Sequence, residues 1–433
     1  MKNIFIRAAL VAGIGCTAII QTGCKKDFTD PNKATDAQVF SSPKGLTGVA
    51  VGLQRVYALG RGSTLYNLIS INGLTTNELF VVNAGNTSEL QIAGGGNLVD
   101  GNNSMLTTFW TTCNKVIYDA NLVLTNAATL ADKNYASGLI AYASIFKAMS
   151  IGDMAQFWEK VPADIGTNVT FIDRVDGFKK AISVLDDAIT AVNANAISSS
   201  FTANIPAGID IVNTLYALKA RYSLFAGLYT QALTAAGQVD ISKKSTFNFD
   251  ALSLNPIFET ATSTNNVVQV KDSTLGLLAP LQPALNDGRI AFYTSINPTI
   301  APRFRINGFG AAATTAFPVY LPGEITLIKA ECYARAASPD LVNGLAQLNI
   351  VVTKNNDPFN VNANQPAIAS VSTQAELLDQ IYRHRCIELY MSGLKLEDMR
   401  RFGRPNAERK RNLMPYPLRE RDNNPNTPAD PVF

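Results

Sequence analysis

Residues 177–194, GFKKAISVLDDAITAVNA, and 213–236, NTLYALKARYSLFAGLYTQALTAA, decide how this chain is read. In the first, Phe178, Ile182, Leu185, Ile189 and Val192 step by four and three residues, which places them on one stripe of an α-helix. In the second, Leu215, Leu218, Tyr222, Phe225, Tyr229 and Ala232 do the same, with Lys219 and Gln231 off the stripe. The spacing predicts one unbroken helix there. Equivalent patterns run through 110–124, 139–157, 325–336, 341–352 and 378–389. Stop signals agree with them. Gly237, Gly393 and Gly403 each follow a helical stretch, and Arg400 and Arg401 fall in a last turn, where the helix dipole favours cations.

The helices come in pairs: 109–126 with 138–157, 177–194 with 213–236, and 323–336 with 340–353, the last joined at Ser338-Pro339-Asp340. Antiparallel pairs of this kind stack as a tetratricopeptide-like array, each burying its apolar face on the next. The expected class is therefore mostly α, one scaffold of helix pairs carrying long irregular insertions. Two stretches read as lacking helix. Residues 83–104 are rich in Gly and Asn, and 238–322 mix Pro and Gly with short β-like runs such as Asn266–Val270. Their scattered apolar residues predict packed insertions.

The N-terminus reads as an address. Lys2 and Arg7 precede an apolar run from Ala8 to Ile20, too short to span a bilayer and right for a secretory leader. Small residues before Cys24 resemble a bacterial lipobox, although Gln21 stands where an aliphatic residue is usual. Cleavage before Cys24 would leave 1–23 as signal peptide, a lipid on Cys24, a polar tether over 24–38, and a single domain over 39–433. Cys16 is the rival anchor, and a plain signal peptide the alternative. No later run reaches the roughly 18 apolar residues a membrane helix needs. The chain has 433 residues, 47% hydrophobic and 16% charged, and a formal charge of +3. That near-neutral balance argues against a nucleic-acid partner. Beyond the leader, Cys113, Cys332 and Cys386 fall in helical patterns and read as free buried thiols.

With these features in place, the chain resembles the SusD/RagB family of Bacteroidetes surface lipoproteins. The strongest match runs from Ile381 through Arg385 and Glu388-Leu389 to Gly393, Asp398 and Arg401-Phe402-Gly403, with His384, Ser392 and Lys395 departing from the family pattern. Met414-Pro415-Tyr416-Pro417 with Asn424-Pro425 is similar to the family's closing segment. Cys24 to Phe28, Trp110 to Asn121, Phe146 to Pro162 and Ala217 to Arg221 follow in the family's order. The resemblance implies a helical domain docked as a lid on a SusC-like, TonB-dependent outer-membrane barrel, tethered to the membrane by its lipid and facing the cell exterior.

Catalysis finds little support. Any histidine-based triad has to be built on His384, the one histidine, and i,i+3 and i,i+4 spacing predicts a helix-face ion-pair cluster with Arg383, Arg385 and Glu388. Metal-ligand spacing and phosphate-cradling loops are absent, so neither metal nor cofactor is expected. Residues 383–411 carry nine Lys/Arg against four Asp/Glu. That reads either as a basic docking face or as a solvated face with local ion pairs.

Binding is the expected function. A sugar ring offers an apolar C–H face and a fringe of hydroxyls, which asks for an aromatic plate beside amide or guanidinium groups. Trp110 and Trp158 sit in scaffold motifs, so the candidates are loop residues: Phe80, Asn83 and Asn86 in one segment, Tyr293, Arg303 and Phe304 in the other. The ordinary alternative for each is a packed loop aromatic or a turn residue. The resemblance implies an oligosaccharide as the default ligand, and the shortage of loop tryptophan keeps a peptide as the alternative. A helical scaffold without a small ligand, and a surface hydrolase built on two converging carboxylates, are the rival functions.

Overall fold

Helix starts follow from side chains that satisfy the first free N–H groups. Ser42 Oγ accepts from Gly45 N (3.1 Å) with Pro43 opening the helix, Asn103 Oδ1 from Met105 N (3.1 Å), Asp132 Oδ1 from Tyr135 N (2.9 Å), and Asp210 Oδ1 from Asn213 N (3.1 Å). The computed structural model describes residues 39–262, 266–299 and 301–432. The expected leader, Cys16, Cys24 and the tether lie outside the described residues.

In chain order the N-terminal part is α1 (Pro43–Ala58), α2 (Thr64–Thr75), β1 (Leu79–Val81), α3 (Thr87–Gly94), α4 (Ser104–Ala127) and α5 (Lys133–Phe157). Next come β2 (Lys160–Pro162), β3 (Phe171–Asp173), α6 (Arg174–Ala194), α7 (Ser199–Thr202), α8 (Ile211–Phe225) and α9 (Tyr229–Gly237). The insertion holds β4 (Thr246–Phe247), β5 (Val268–Val270), α10 (Gly288–Tyr293), β6 (Thr294–Ile296), β7 (Phe304–Ile306) and β8 (Phe317–Pro318). The chain closes with α11 (Pro322–Ala334), α12 (Leu341–Thr353), α13 (Gln374–Glu388), α14 (Lys395–Arg401) and α15 (Leu418–Asn423). Packing runs α4 on α5, α5 on α6, α6 on α8, α9 on α11, and α11 on both α12 and α13. This is the stacked-pair scaffold expected from periodicity. Two-stranded antiparallel ribbons punctuate it: β1 with β5, β2 with β3, β4 with β8 and β6 with β7.

Three expectations need correction. Residues 213–236 form two helices. Gly227 takes φ +74°, Leu228 N–H donates to Ser223 O (2.8 Å) and Gly227 N–H to Leu224 O (3.1 Å), a Schellman stop. The apolar period survives the turn, and so hid it. Both stretches read as lacking helix carry one: residues 238–322 contain the six-residue α10, and 83–104 contain α3, an eight-residue helix. Just beyond it Gly95 and Gly96 lie against the backbone of Lys410, with Gly96 N–H donating to Lys410 O (3.1 Å); a Cβ on Gly95 would sit 2.3 Å from that oxygen.

The third correction concerns the charges of 383–411. From Arg385 to Arg401 they form a buried network in place of a helix-face cluster or a solvated face, while Arg404–Glu408 is a local i,i+4 pair and Lys410 is exposed, as a solvated face would have them. Arg385, fully buried, donates from Nε and Nη2 to Asp398 (2.8 and 3.0 Å), which also accepts from Arg401 (2.6 Å). Arg401 and Arg335 both reach Glu331 (2.5 and 2.7 Å). Glu388 pairs with Arg289 of the insertion (3.3 Å) and with Lys354. Arg383 donates to Gln282 O (2.8 Å). α13 is packed on several sides, so its charges are answered across the fold and not along one face. Burial alone would raise the Asp398 carboxyl, but the guanidinium groups of Arg385 and Arg401 outweigh it and hold it below the usual carboxylate range.

Candidate functional site

The groups a catalyst would need are sealed. His384 is 3% exposed, and its Nδ1 accepts from Arg289 Nη2 (3.1 Å), which fixes the remaining ring proton on Nε2. Burial, with Arg289 and Arg383 adding to it, pushes the imidazole well below its ordinary range, so it stays neutral. Cys113, Cys332 and Cys386 are buried free thiols, and burial pushes Cys332 and Cys386 up to about 12. Among the described residues, no group of three or more His, Cys, Asp or Glu could hold a metal ion. Nor is any described helix long and apolar enough to cross a membrane.

The insertion instead builds a surface with the N-terminal part of the chain. Phe80 of β1 faces Gln269 of β5 across the ribbon, and directly opposed residues share a face. Gln269 is fully buried; its Oε1 accepts from Ile306 N of β7 (2.7 Å) and its amide donates to Asn266 (3.0 Å). Arg305 donates to the same Asn266 oxygen (3.0 Å). These bonds lock the β1–β5 ribbon against the β6–β7 ribbon. On the latter, half-buried Phe304 faces Ile296, which is 55% exposed, and the Arg303 guanidinium lies 6.0 Å from the Phe304 ring centroid.

Beyond β1 the chain turns through Asn83, whose Oδ1 accepts from Gly85 N (3.0 Å), and reaches Asn86, whose Oδ1 accepts from Arg61 Nη2 (2.8 Å). Arg61 also donates to Glu89 Oε1 (2.5 Å), which Tyr66 contacts through its hydroxyl (3.3 Å). Arg61, Asn86, Glu89, Ser88, Ser104 and Thr108 line a polar groove of about 470 Å³. Glu89 is buried, while the Arg61 side chain stays 48% exposed. The carboxylate thus holds the root of a guanidinium that still has donors for a ligand.

Of the six candidates, Asn86 alone lines this groove; Phe80 and Asn83 precede it along the chain, and Arg303 and Phe304 lie on the ribbon locked to β1. Tyr293 does not join them. It is 1% exposed, its hydroxyl donates to Glu388 O (2.5 Å), and its ring packs on Phe292 and Tyr390 at 5.0 and 5.4 Å, which leaves it no face for a ligand. The groove residues missed in the sequence had one legible signal, Arg61 between two glycines in the turn linking α1 and α2. Glu89 and Thr108 carried none, because only the packing of α3 and α4 brings them together.

No family model and no curated protein matches the chain. Solved structures do. A SusD superfamily protein from Parabacteroides distasonis ATCC 8503 superposes with a TM-score of 0.71 at 15% identity, covering 93% of this chain and 100% of that one. Another from Bacteroides thetaiotaomicron VPI-5482 gives 0.71 at 14% identity over 90% of this chain and 100% of that one. A SusD-like carbohydrate binding protein from Bacteroides fragilis NCTC 9343 gives 0.66 at 16% identity, over 84% of this chain and 87% of that one. The chain has the SusD-like fold.

Proposed function

We propose that this chain is a surface-exposed outer-membrane lipoprotein of the SusD kind, anchored through Cys24. It captures an oligosaccharide and passes it to a SusC-like TonB-dependent barrel. The observation that carries the reading is the polar groove around Arg61 beside the locked ribbons, in a fold shared with a solved carbohydrate binding protein. A fixed guanidinium, short hydroxyl side chains and asparagine amides suit a hydroxyl-rich ligand, and Phe80 and Phe304 supply apolar surface nearby. The burial of His384 and of the three free thiols supports capture over histidine- or thiol-based turnover. The shared fold also supports the leader, anchor and barrel partner, by analogy.

Calorimetry with a panel of neutral and acidic oligosaccharides, and of peptides, tests the binding reading. At least one saccharide should bind, and Arg61→Ala should weaken it. Binding of peptides alone would replace the ligand class, and silence across the panel with intact folding would refute the function. For the anchor, Cys24→Ser should abolish palmitate labelling and release the protein from the membrane. Labelling that survives moves the anchor to Cys16.

A further inference from the structure

A second groove shares helix α4 with the first, using Thr107, Trp110, Thr111 and Asn114 where the Arg61 groove uses Ser104, Met105 and Thr108; its other walls are the 163–169 loop between β2 and β3 and the segment around α15. It has a volume of about 420 Å³, within the range of small-ligand sites, and is lined by Trp110, Thr111, Asn114, Asp164, Arg419 and Glu420 among others. Its walls are fixed before any ligand arrives. Trp110 Nε1 donates to Glu420 Oε2 (3.1 Å), whose other oxygen accepts from Asn424 (3.0 Å), and Asn424 also donates to Val169 O (3.1 Å). The Trp110 ring is wedged against Trp158, Tyr416 and Phe171 at 4.8, 5.9 and 6.2 Å. One chain of contacts therefore ties all three walls together.

What remains open is mixed and short-ranged. Asn114 spends one amide hydrogen on Trp110 O (3.0 Å) and keeps the other, with its carbonyl oxygen; Thr111, Asp164 and Arg419 are exposed. Tyr118, one turn beyond Asn114 on the same face of α4 and outside the lining itself, is 52% exposed, an aromatic ring available to a ligand that extends past Asn114. With two carboxylates against one guanidinium, the lining does not favour an anion. The strand residue that lines it is Pro162, which has no N–H for an extended peptide to pair with. We infer that this groove is a second saccharide-binding site for a neutral oligosaccharide, with hydroxyls on Asn114, Asp164 and Arg419 and a ring face on Tyr118. The choice of ligand class draws on the saccharide reading above, but the site and its readout are separate.

The readout is built in. The chain has two tryptophans, and both belong to this cluster, so indole emission reports on this groove, and Arg61→Ala tells its response apart from that of the groove sharing α4. The mature chain is titrated with maltohexaose, cellohexaose, xylohexaose and mannohexaose, and with a tryptophan-free hexapeptide pool, while emission is followed. At least one saccharide should shift emission saturably. Tyr118→Ala and Arg419→Ala, both at exposed positions that spare the fold, should each weaken that response about tenfold or more, and Arg61→Ala should leave it unchanged. An emission response lost with Arg61→Ala, insensitive to both groove variants, given by peptides only, or absent for every probe overturns the second site. Heat of binding that survives the groove variants but not Arg61→Ala preserves the first site while overturning this one.

Discussion

Asp153 sits on α5 in the middle of the scaffold, 2% exposed, where it accepts from Tyr57 Oη (2.7 Å) and from Gln156 Nε2 (3.4 Å). Burial pushes its carboxyl from an ordinary 3.8 up to about 7, with the Tyr57 hydrogen bond and the distant Arg221 charge offsetting only part. The folded state thus keeps a proton that the unfolded chain gives up near pH 4. Stability from this group is complete below that pH and is lost as pH rises through about 7, at up to roughly 1.4 kcal/mol per pH unit. Over the whole interval the loss is roughly 4 kcal/mol. Asp153→Asn removes the titration and keeps the shape. The amide oxygen still accepts from Tyr57, and the new N–H groups have an acceptor within reach in Gln156 Oε1, which has no partner in the native protein. The variant should match the parent near pH 4 and exceed it by roughly 3–4 kcal/mol at pH 8. Glu78, also pushed to about 7 by burial, titrates in both proteins and cancels in the difference. Urea unfolding of both proteins at intervals between pH 4 and 8, with m unchanged, measures it. A difference that stays flat with pH, or a variant less stable at pH 8, would refute the reasoning.

Other outcomes follow from the same geometry. Arg385→Ala leaves Asp398 buried with Arg401 as its remaining guanidinium partner, and should cost roughly 3–5 kcal/mol in urea unfolding, whereas replacing an exposed pair such as Lys115–Asp119 should cost well under 1. Gly227→Ala meets no atom within 4 Å, so its cost is purely the left-handed backbone, about 1–2 kcal/mol, read as a lowered urea midpoint. Arg61→Ala removes a charged donor from the polar groove and should weaken saccharide binding about tenfold or more in calorimetry; because it also leaves the buried Glu89 carboxylate without its cation, it should lower stability by roughly 1–3 kcal/mol, so calorimetry is run where urea unfolding shows the variant folded. An unaltered affinity would move the ligand off that groove.

Local physics wrote most of the scaffold into the sequence. The stripes at 178–192 and 215–225, the capping residues Ser42, Asn103, Asp132 and Asp210, and the stops at Gly237 and Gly403 act within a turn or two of their own positions, so a single chain displays them. Free buried cysteines and scaffold tryptophans were legible for the same reason: each lies on an apolar stripe. Phe80, Asn86, Arg303 and Phe304 could be picked out as loop residues of the right chemistry, but nothing local says which loops meet.

That was decided by long-range pairing. Val268–Val270 zips onto Leu79–Val81, and Gln269 then bonds β7, bringing three distant segments to one surface while drawing Tyr293 inside. The partners of Arg385 and Glu388 were equally hidden, because a charge in a packed helix is answered by whichever carboxylate or cation shares its interior, not by the neighbour one turn away. The sequence by itself determined the helices and where most of them stop, since hydrophobic period and capping are local. Only the tertiary structure decided the two grooves and the buried charge network, since desolvation and contact between remote segments exist only once the chain has packed.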